Sequence, residues 1–156
     1  MVVDDSDVRG TCRFTSFYGS PYAALRNLYT GERFSWFFCG DFNEIMYGFE
    51  KNEGLPKDER RMKLFRNVLT DCSLVDVGFS GRWFTWERGN LPETNICERL
   101  DRGVANEKWM AMFPEITIQH LIHSFFDHCP LLVNTKKAEQ WVKEKAFRFK
   151  AWWTIE

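Results

Sequence analysis

The run "FSWFFCGDF" at residues 34–42 constrains the fold more than any other stretch. Its apolar residues follow one another without polar alternation, which is the pattern of a strand buried in the core. The strand closes on Gly40, and "GDFNEI" then presents Asp41, Asn43 and Glu44. In extended chain, residues two apart face the same side, so Asp41 and Asn43 are expected to point together. Taken alone, Asp and Asn after a glycine also make an ordinary strand-closing turn. The stretch by itself leaves both readings open.

Other elements surround this strand. "CRFTSFYG" (12–19) is aromatic and β-branched and stops at Gly-Ser-Pro, which predicts a strand. "LPKDERRMKLFRNVLTDCSL" (55–74) predicts a helix, with Met62, Phe65, Leu69 and Cys72 at spacings of three and four and Pro56 at its start. "LVDVGF" is a short strand. "RWFTWER" and "NICERLD" form a hairpin around "GNLPETN". "VANEKWMAMF" (104–113) predicts a short helix that Pro114 ends, and "EITIQHLI" and "CPLLVNT" follow as strands. Mixed elements of this kind predict an α/β (α+β) layered fold, a sheet sandwich flanked by helices. A chain of 156 residues fits one domain with a real core, and the 15 Phe and 7 Trp exclude a disordered one. That aromatic load is high enough for some rings to be surface bared by a missing part.

Several classes of function are disfavoured. The five cysteines form no C-x-x-C pair and their number is odd, which argues against a zinc site or a disulfide framework and for a reducing compartment. A net charge of -1 does not announce a nucleic-acid binder, although residues 136–150 hold six Lys/Arg against two Glu. The opening "MVVDDSDVRG" has no apolar signal core, and no apolar run approaches the ~20 residues of a membrane span. The expected location is soluble and intracellular, in nucleus or cytoplasm.

Three polar groups sit at expected strand ends: "GDFN", "RLDR" (99–102) and "FDHCP" (126–130). Loops cluster there, and sites are built there. Asp127 and His128 offer an oxygen ligand and an imidazole, and Asp101 could fix that imidazole's tautomer. Carboxylates, an amide and a histidine without cysteine suit a hard cation such as Mg²⁺ and phosphoryl chemistry. Each motif alone has a plainer reading. "GDFN" is a turn, "RLDR" is a surface ion pair or a helix cap, and His120 and His123 are strand-face or surface residues without a role.

The order of these motifs is more specific than any member. "FYGSP", "GDFNEI", "FRNVLTDCSLVDVGFSGRWFTW", "ERLDRGVAN" and "DHCPLLV" together resemble the endonuclease domain of plant LINE-type (non-LTR) retrotransposons, in the endonuclease/exonuclease/phosphatase superfamily. The likeness runs over residues 10 to 153. It implies a DNase I-like two-sheet sandwich flanked by helices, of which this chain holds roughly the C-terminal half: a partial domain over 1–135 and a basic linker over 136–156.

The resemblance also implies roles. Asp41 would orient or deprotonate the attacking water, and Asn43 would bond the scissile phosphate. Tyr18 would sit near the phosphate or the metal-bound cluster, and Asp127 would contribute to the metal site. His128 would stabilise the pentacoordinate phosphate, with Asp101 orienting it. The implied reaction is Mg²⁺-dependent nicking of DNA. The family's first-strand Asn and its main metal-ligand Glu have no counterpart before Tyr18. Phe126 stands where the family has serine, and the helix after "SPYAALR" is short. Impaired catalysis is therefore expected, together with self-association through an exposed sheet face. The alternatives are a non-catalytic remnant that binds nucleic acid weakly and a phosphatase of the same superfamily.

Overall fold

The computed structural model describes residues 12–29, 34–89, 95–122 and 127–135. In chain order the elements are β1 (Cys12–Tyr18), α1 (Pro21–Leu28), β2 (Ser35–Asp41), a 3-10 turn (Gly48–Glu50), β3 (Lys51–Asn52), α2 (Glu59–Asp71), β4 (Val75–Asp76), β5 (Ser80–Gly81), β6 (Trp86–Arg88), β7 (Ile96–Glu98), β8 (Asp101–Ala105), α3 (Glu107–Met112), β9 (Thr117–His120) and β10 (Leu131–Asn134). His123, Phe126 and the basic segment 136–156 lie outside the described residues.

The apolar run does form the central strand. β2 pairs in parallel with β1 on one side and antiparallel with β8 on the other, in a sheet of order β1-β2-β8-β4. Parallel neighbours need a crossover, and α1 supplies it. Alternate β2 side chains enter two different cores. Trp36 and Phe38 pack with Val104 against Leu25 of α1 and Phe65, Val68 and Leu69 of α2. Phe37 and Cys39 pack with Ala105 against Trp109 of α3, Phe113 at its C-terminal cap and Ile118 of β9. Burial of a phenylalanine side chain contributes about 1.5–3 kcal/mol, so Phe37 and Phe38 stabilise opposite faces of one strand. The layers are thus helices, the four-stranded sheet, and a second sheet of order β10-β9-β5. A third small sheet, β3-β7-β6, contains the expected hairpin, with Trp86 opposite Glu98. The architecture is a mixed α/β one with several sheets and few helices. No helix among the described residues is long and apolar enough to cross a membrane.

Local differences from the sequence reading have physical causes. The helix expected from 55 begins at Glu59, because Asp58 caps it by accepting from the Arg60 N–H at 2.9 Å; Pro56 lies in the lead-in. Its apolar stripe is as expected, with Met62, Phe65, Leu69 and Cys72 all buried. Val104 and Ala105 belong to β8 and not to a helix, since they pair with Phe38 and Phe37. Asn106 then starts α3: its Oδ1 accepts from the Trp109 N–H at 3.0 Å and from the Trp36 N–H at 2.9 Å. His120 is on a strand face but is buried, not at the surface.

Gly40 permits the close pairing of β1 and β2. It has φ +149°, and a Cβ there would meet the Phe17 carbonyl oxygen at 2.0 Å. Backbone cannot yield cheaply at that distance. Gly40→Ala is expected to destabilise the fold by about 3 kcal/mol or more, read as a lower urea midpoint at unchanged m-value.

Candidate active site

Strand register builds the site. Tyr18 is opposite Asp41 in the β1–β2 pairing, and Asp41 is opposite Asp101 in the β2–β8 pairing. The three therefore form one row across the end of the sheet, on the face that carries Phe37 and Cys39 toward the second sheet. Tyr18, on the edge strand, is largely exposed, whereas Asp41 and Asp101 are buried.

His128 arrives from the other side. The segment 127–129 lies along β6: the Glu87 N–H donates to the Asp127 carbonyl at 3.0 Å, Trp86 and His128 form a β-bridge, and the Cys129 N–H donates to the Thr85 carbonyl at 2.6 Å. This places His128 Nδ1 2.9 Å from Asp101 Oδ2 and Nε2 3.8 Å from Asp41 Oδ2. Nδ1–H donates to Asp101, which leaves Nε2 facing Asp41. The wider gap is too long for a direct hydrogen bond, but a single ligand oxygen about 2.8 Å from each atom would bridge it. Asp41 Oδ2 is buried and has no hydrogen-bond partner. Donor atoms of Asp41, Asp101 and His128 all lie within 4.8 Å of one another.

The electrostatics match the geometry. Burial pushes the Asp41 carboxyl above its ordinary range and Asp101 adds to this, against the Asn43 backbone N–H and His128, which lower it. A carboxylate raised in this way is a better proton acceptor. Burial pulls His128 down, but the Asp101 hydrogen bond and charge, with Asp41 and Asp127, outweigh it and the net direction is up.

Other expected residues are placed differently. β2 ends at Asp41, and Asn43 sits in a left-handed turn with φ 52°, so the two-residue alternation does not extend to it. Asn43 is exposed and its backbone N–H donates to Asp41 Oδ1 at 2.8 Å. "GDFN" is therefore a turn and part of the cluster at once: the turn occupies one Asp41 oxygen and leaves the other free. Asp127 is exposed and is not among the three clustered donors. Glu44 is buried away from the row, where its Oε2 accepts from the Tyr22 hydroxyl at 2.8 Å and from Arg61 at 2.9 Å.

The arginines of "RLDR" are not surface groups. Arg102 is fully buried, and it and Arg99 both pair with Glu50 and Asp76 at 2.9–3.2 Å. The sequence reading missed this network and also missed Thr85. Thr85 Oγ1 accepts from the Leu100 N–H at 3.0 Å and the Asp101 N–H at 2.9 Å, while its carbonyl holds Cys129. One residue thus fixes the chain on both sides of the Asp101–His128 pair. Its sequence signal was a single threonine between aromatics in "FTW".

The sequence matches no family model and no curated protein. Among solved structures, the chain is similar to the endonuclease domain of TRAS1, a telomere-specific non-LTR retrotransposon, with a TM-score of 0.55 and 17% identity. The match covers 80% of this chain and 56% of that one, so this chain spans little more than half the length of the solved domain. The fold is that of a DNase I-like endonuclease domain.

Two outcomes follow from the geometry. Thr85→Val keeps the shape but leaves two buried N–H groups without an acceptor, at about 1–3 kcal/mol each, so urea unfolding should show a loss of roughly 2–6 kcal/mol. Asp101→Asn should move the His128 titration, followed by imidazole proton NMR, back down. In the wild type the raised folded value means the pair's stabilisation is fully present below the ordinary imidazole range near 6.5. It is lost as pH rises through the higher folded value. An unshifted His128 in the variant would show that Asp101 does not set its charge.

Proposed function

We propose that this chain is part of a DNA endonuclease of non-LTR retrotransposon origin, of the plant LINE type, and that it carries the proton-handling side of the cleavage site. The observation behind this is the Asp41–His128–Asp101 cluster at the sheet end, with one buried Asp41 oxygen unpartnered beside His128 Nε2. Asp41 accepts the proton of an attacking water. His128, held as the cation by Asp101, donates a hydrogen bond to a phosphate oxygen as charge builds there. Tyr18 and Asn43 border the same row from exposed positions, where they can reach the substrate's backbone.

Mg²⁺ does not fit the clustered donors by themselves. It takes oxygen ligands in near-octahedral geometry. Here Asp101 Oδ2 is bonded to His128 and Asp41 Oδ1 to the turn, while Asp41 Oδ2 has no hydrogen-bond partner, and so few available oxygens do not make an octahedral set. With His128 protonated the cluster carries a net charge of -1, from two carboxylates and one imidazolium, and repels a phosphodiester. A cation is needed on physical grounds, and Asp41, Asp101 and His128 do not by themselves complete its ligand set. We therefore propose that this chain alone is catalytically impaired.

Supercoiled plasmid tests the reading. Slow nicking is expected only at millimolar or higher Mg²⁺, stopped by EDTA and reduced about 100-fold or more in His128→Ala and Asp41→Ala. Nicking that persists in His128→Ala would refute the assignment. Absence of nicking at every metal concentration would leave a non-catalytic remnant.

A further inference from the structure

His120 is buried and titratable, and the proposed chemistry does not use it. Its Nδ1 lies 2.6 Å from the Arg82 carbonyl oxygen. A carbonyl only accepts, so Nδ1 carries the proton and Nε2 is left as a bare acceptor. Nε2 is buried and has no hydrogen-bond partner among the described residues. The ring is stacked on Phe79, with centroids 4.3 Å apart and planes 7° apart. Both contacts come from the turn at residues 79–82, around β5. That turn has no slack against β9. Ser80 and Gly81 pair in parallel with Gln119 and His120, and a Cβ on Gly81, at φ +93°, would meet the His120 carbonyl oxygen at 2.5 Å.

The charges that act on the ring are Arg99, whose guanidinium lies 4.3 Å from the Phe79 ring centre, Asp101 of β8 and Asp76 of β4. Both acids already hold partners, Asp76 with Arg99 and Arg102, and Asp101 with His128. Arg82 is itself paired with Glu87 at 2.6 Å. A proton on Nε2 would therefore be buried without an acceptor, close to a guanidinium. Burial and Arg99 pull the imidazole below its ordinary range, against the Arg82 hydrogen bond and the two acids.

We propose that His120 is a pH-sensitive clasp, closed as the neutral imidazole and opened by its protonation, which ties to β9 the two segments that carry Thr85 and His128. Arg82 precedes Thr85 by three residues. Leu131, opposite His120 in the β9–β10 pairing, follows His128 by three, and the Leu121 N–H donates to the Pro130 carbonyl at 3.0 Å. An open hollow of about 380 Å³ lies against Gly81, Arg82, Gln119 and His120. A small outward movement of the turn would give the charged ring water there. His120 and His128 then act with opposite sign. Below the ordinary imidazole range near 6.5, the unfolded chain takes up a proton at residue 120 that the folded chain resists. The clasp's stabilisation is present above that range and is lost as pH falls through the lower folded value. The stabilisation at His128 is kept in acid and lost as pH rises, so the two segments are held best between these limits.

The test is amide hydrogen exchange by NMR on the whole chain, at about pH 7.5 and about pH 5, with rates corrected for intrinsic pH dependence. On acidification the amides of residues 80–82 and of Leu121 should lose protection severalfold, while the Phe38 amide in the central strand keeps its own. The His120 ring signals should titrate below the ordinary imidazole range. His120→Asn keeps an N–H near the Nδ1 position and cannot be protonated, so the pH dependence at these amides should vanish. His128→Ala should leave it in place. Equal wild-type protection at both pH values overturns the inference whatever the variants do. So does a loss of protection that includes Phe38 equally, a His120 signal that titrates at or above the ordinary range, or acid loosening that persists in His120→Asn. None of these readouts uses cleavage, so the clasp stands or falls apart from the nicking assay.

Discussion

The register of β2 against β8 is the constraint on which the site depends. Asp41 is opposite Asp101 and Gly40 is opposite Arg102. Because strand side chains alternate, a slip of one residue would send Asp101 toward the helices and Arg102 into the site. That exchange would replace a carboxylate that orients His128 with a guanidinium, and would bury an acid among Phe65 and Val68. Two like charges facing each other across a strand pair are unfavourable by themselves. His128 between them offsets that repulsion in this register only.

The arginine network locks the same register from the other face. Arg102 bonds Glu50 and Asp76 and also the Arg99 carbonyl at 2.8 Å, while its guanidinium lies 5.4 Å over Phe65. Desolvation of Asp76 raises its carboxyl, but Arg99 and Arg102 outweigh this and hold it below the ordinary range. A buried, balanced group of this kind adds little net stability over an apolar core of equal volume. Removing one member would be costly, by about 3–5 kcal/mol, because the others would be left charged and unpaired. Its effect is therefore on specificity: only one alignment of β8 satisfies Glu50, Asp76 and His128 together.

The layered fold was legible because its signals are local. An unbroken apolar run gave β2, and spacings of three and four gave α2. The acids and histidine at strand ends were legible as candidates, and Asp101 orienting His128 was expected, but the strand register that brings Asp41 opposite Asp101 was not, since register is a long-range property. "RLDR" shows the difference. Read locally it is a surface ion pair, yet Arg102 finds Glu50, 52 residues away. Thr85 was invisible for the same reason, because its two backbone partners lie 15 and 16 residues on. "VAN" misled through propensity: alanine before a helix favours helix, but pairing with Phe37 and Phe38 overrides that weak preference. Asn43 misled in the opposite sense, because the alternation rule holds only while the strand lasts, and the Asp41 side chain itself ends it by capping the turn.

What the site handles well is protons, and what it handles poorly is charge. Asp41 and His128 form a donor and an acceptor about one oxygen apart, which is enough for activating water and for stabilising a leaving or bridging oxygen. Yet two carboxylates against one imidazolium repel the polyanion they would cut. On the proposed reading, binding must draw on something other than the charge of this cluster. Residues 136–150, with six Lys/Arg against two Glu, supply charge at a distance in sequence. On the same reading, the phosphate at Asp41 and His128 still needs a cation, because the three-residue cluster carries a net negative charge. Binding nucleic acid and cleaving it are, on this reading, physically separate demands, because the cluster that would handle the protons supplies no net positive charge.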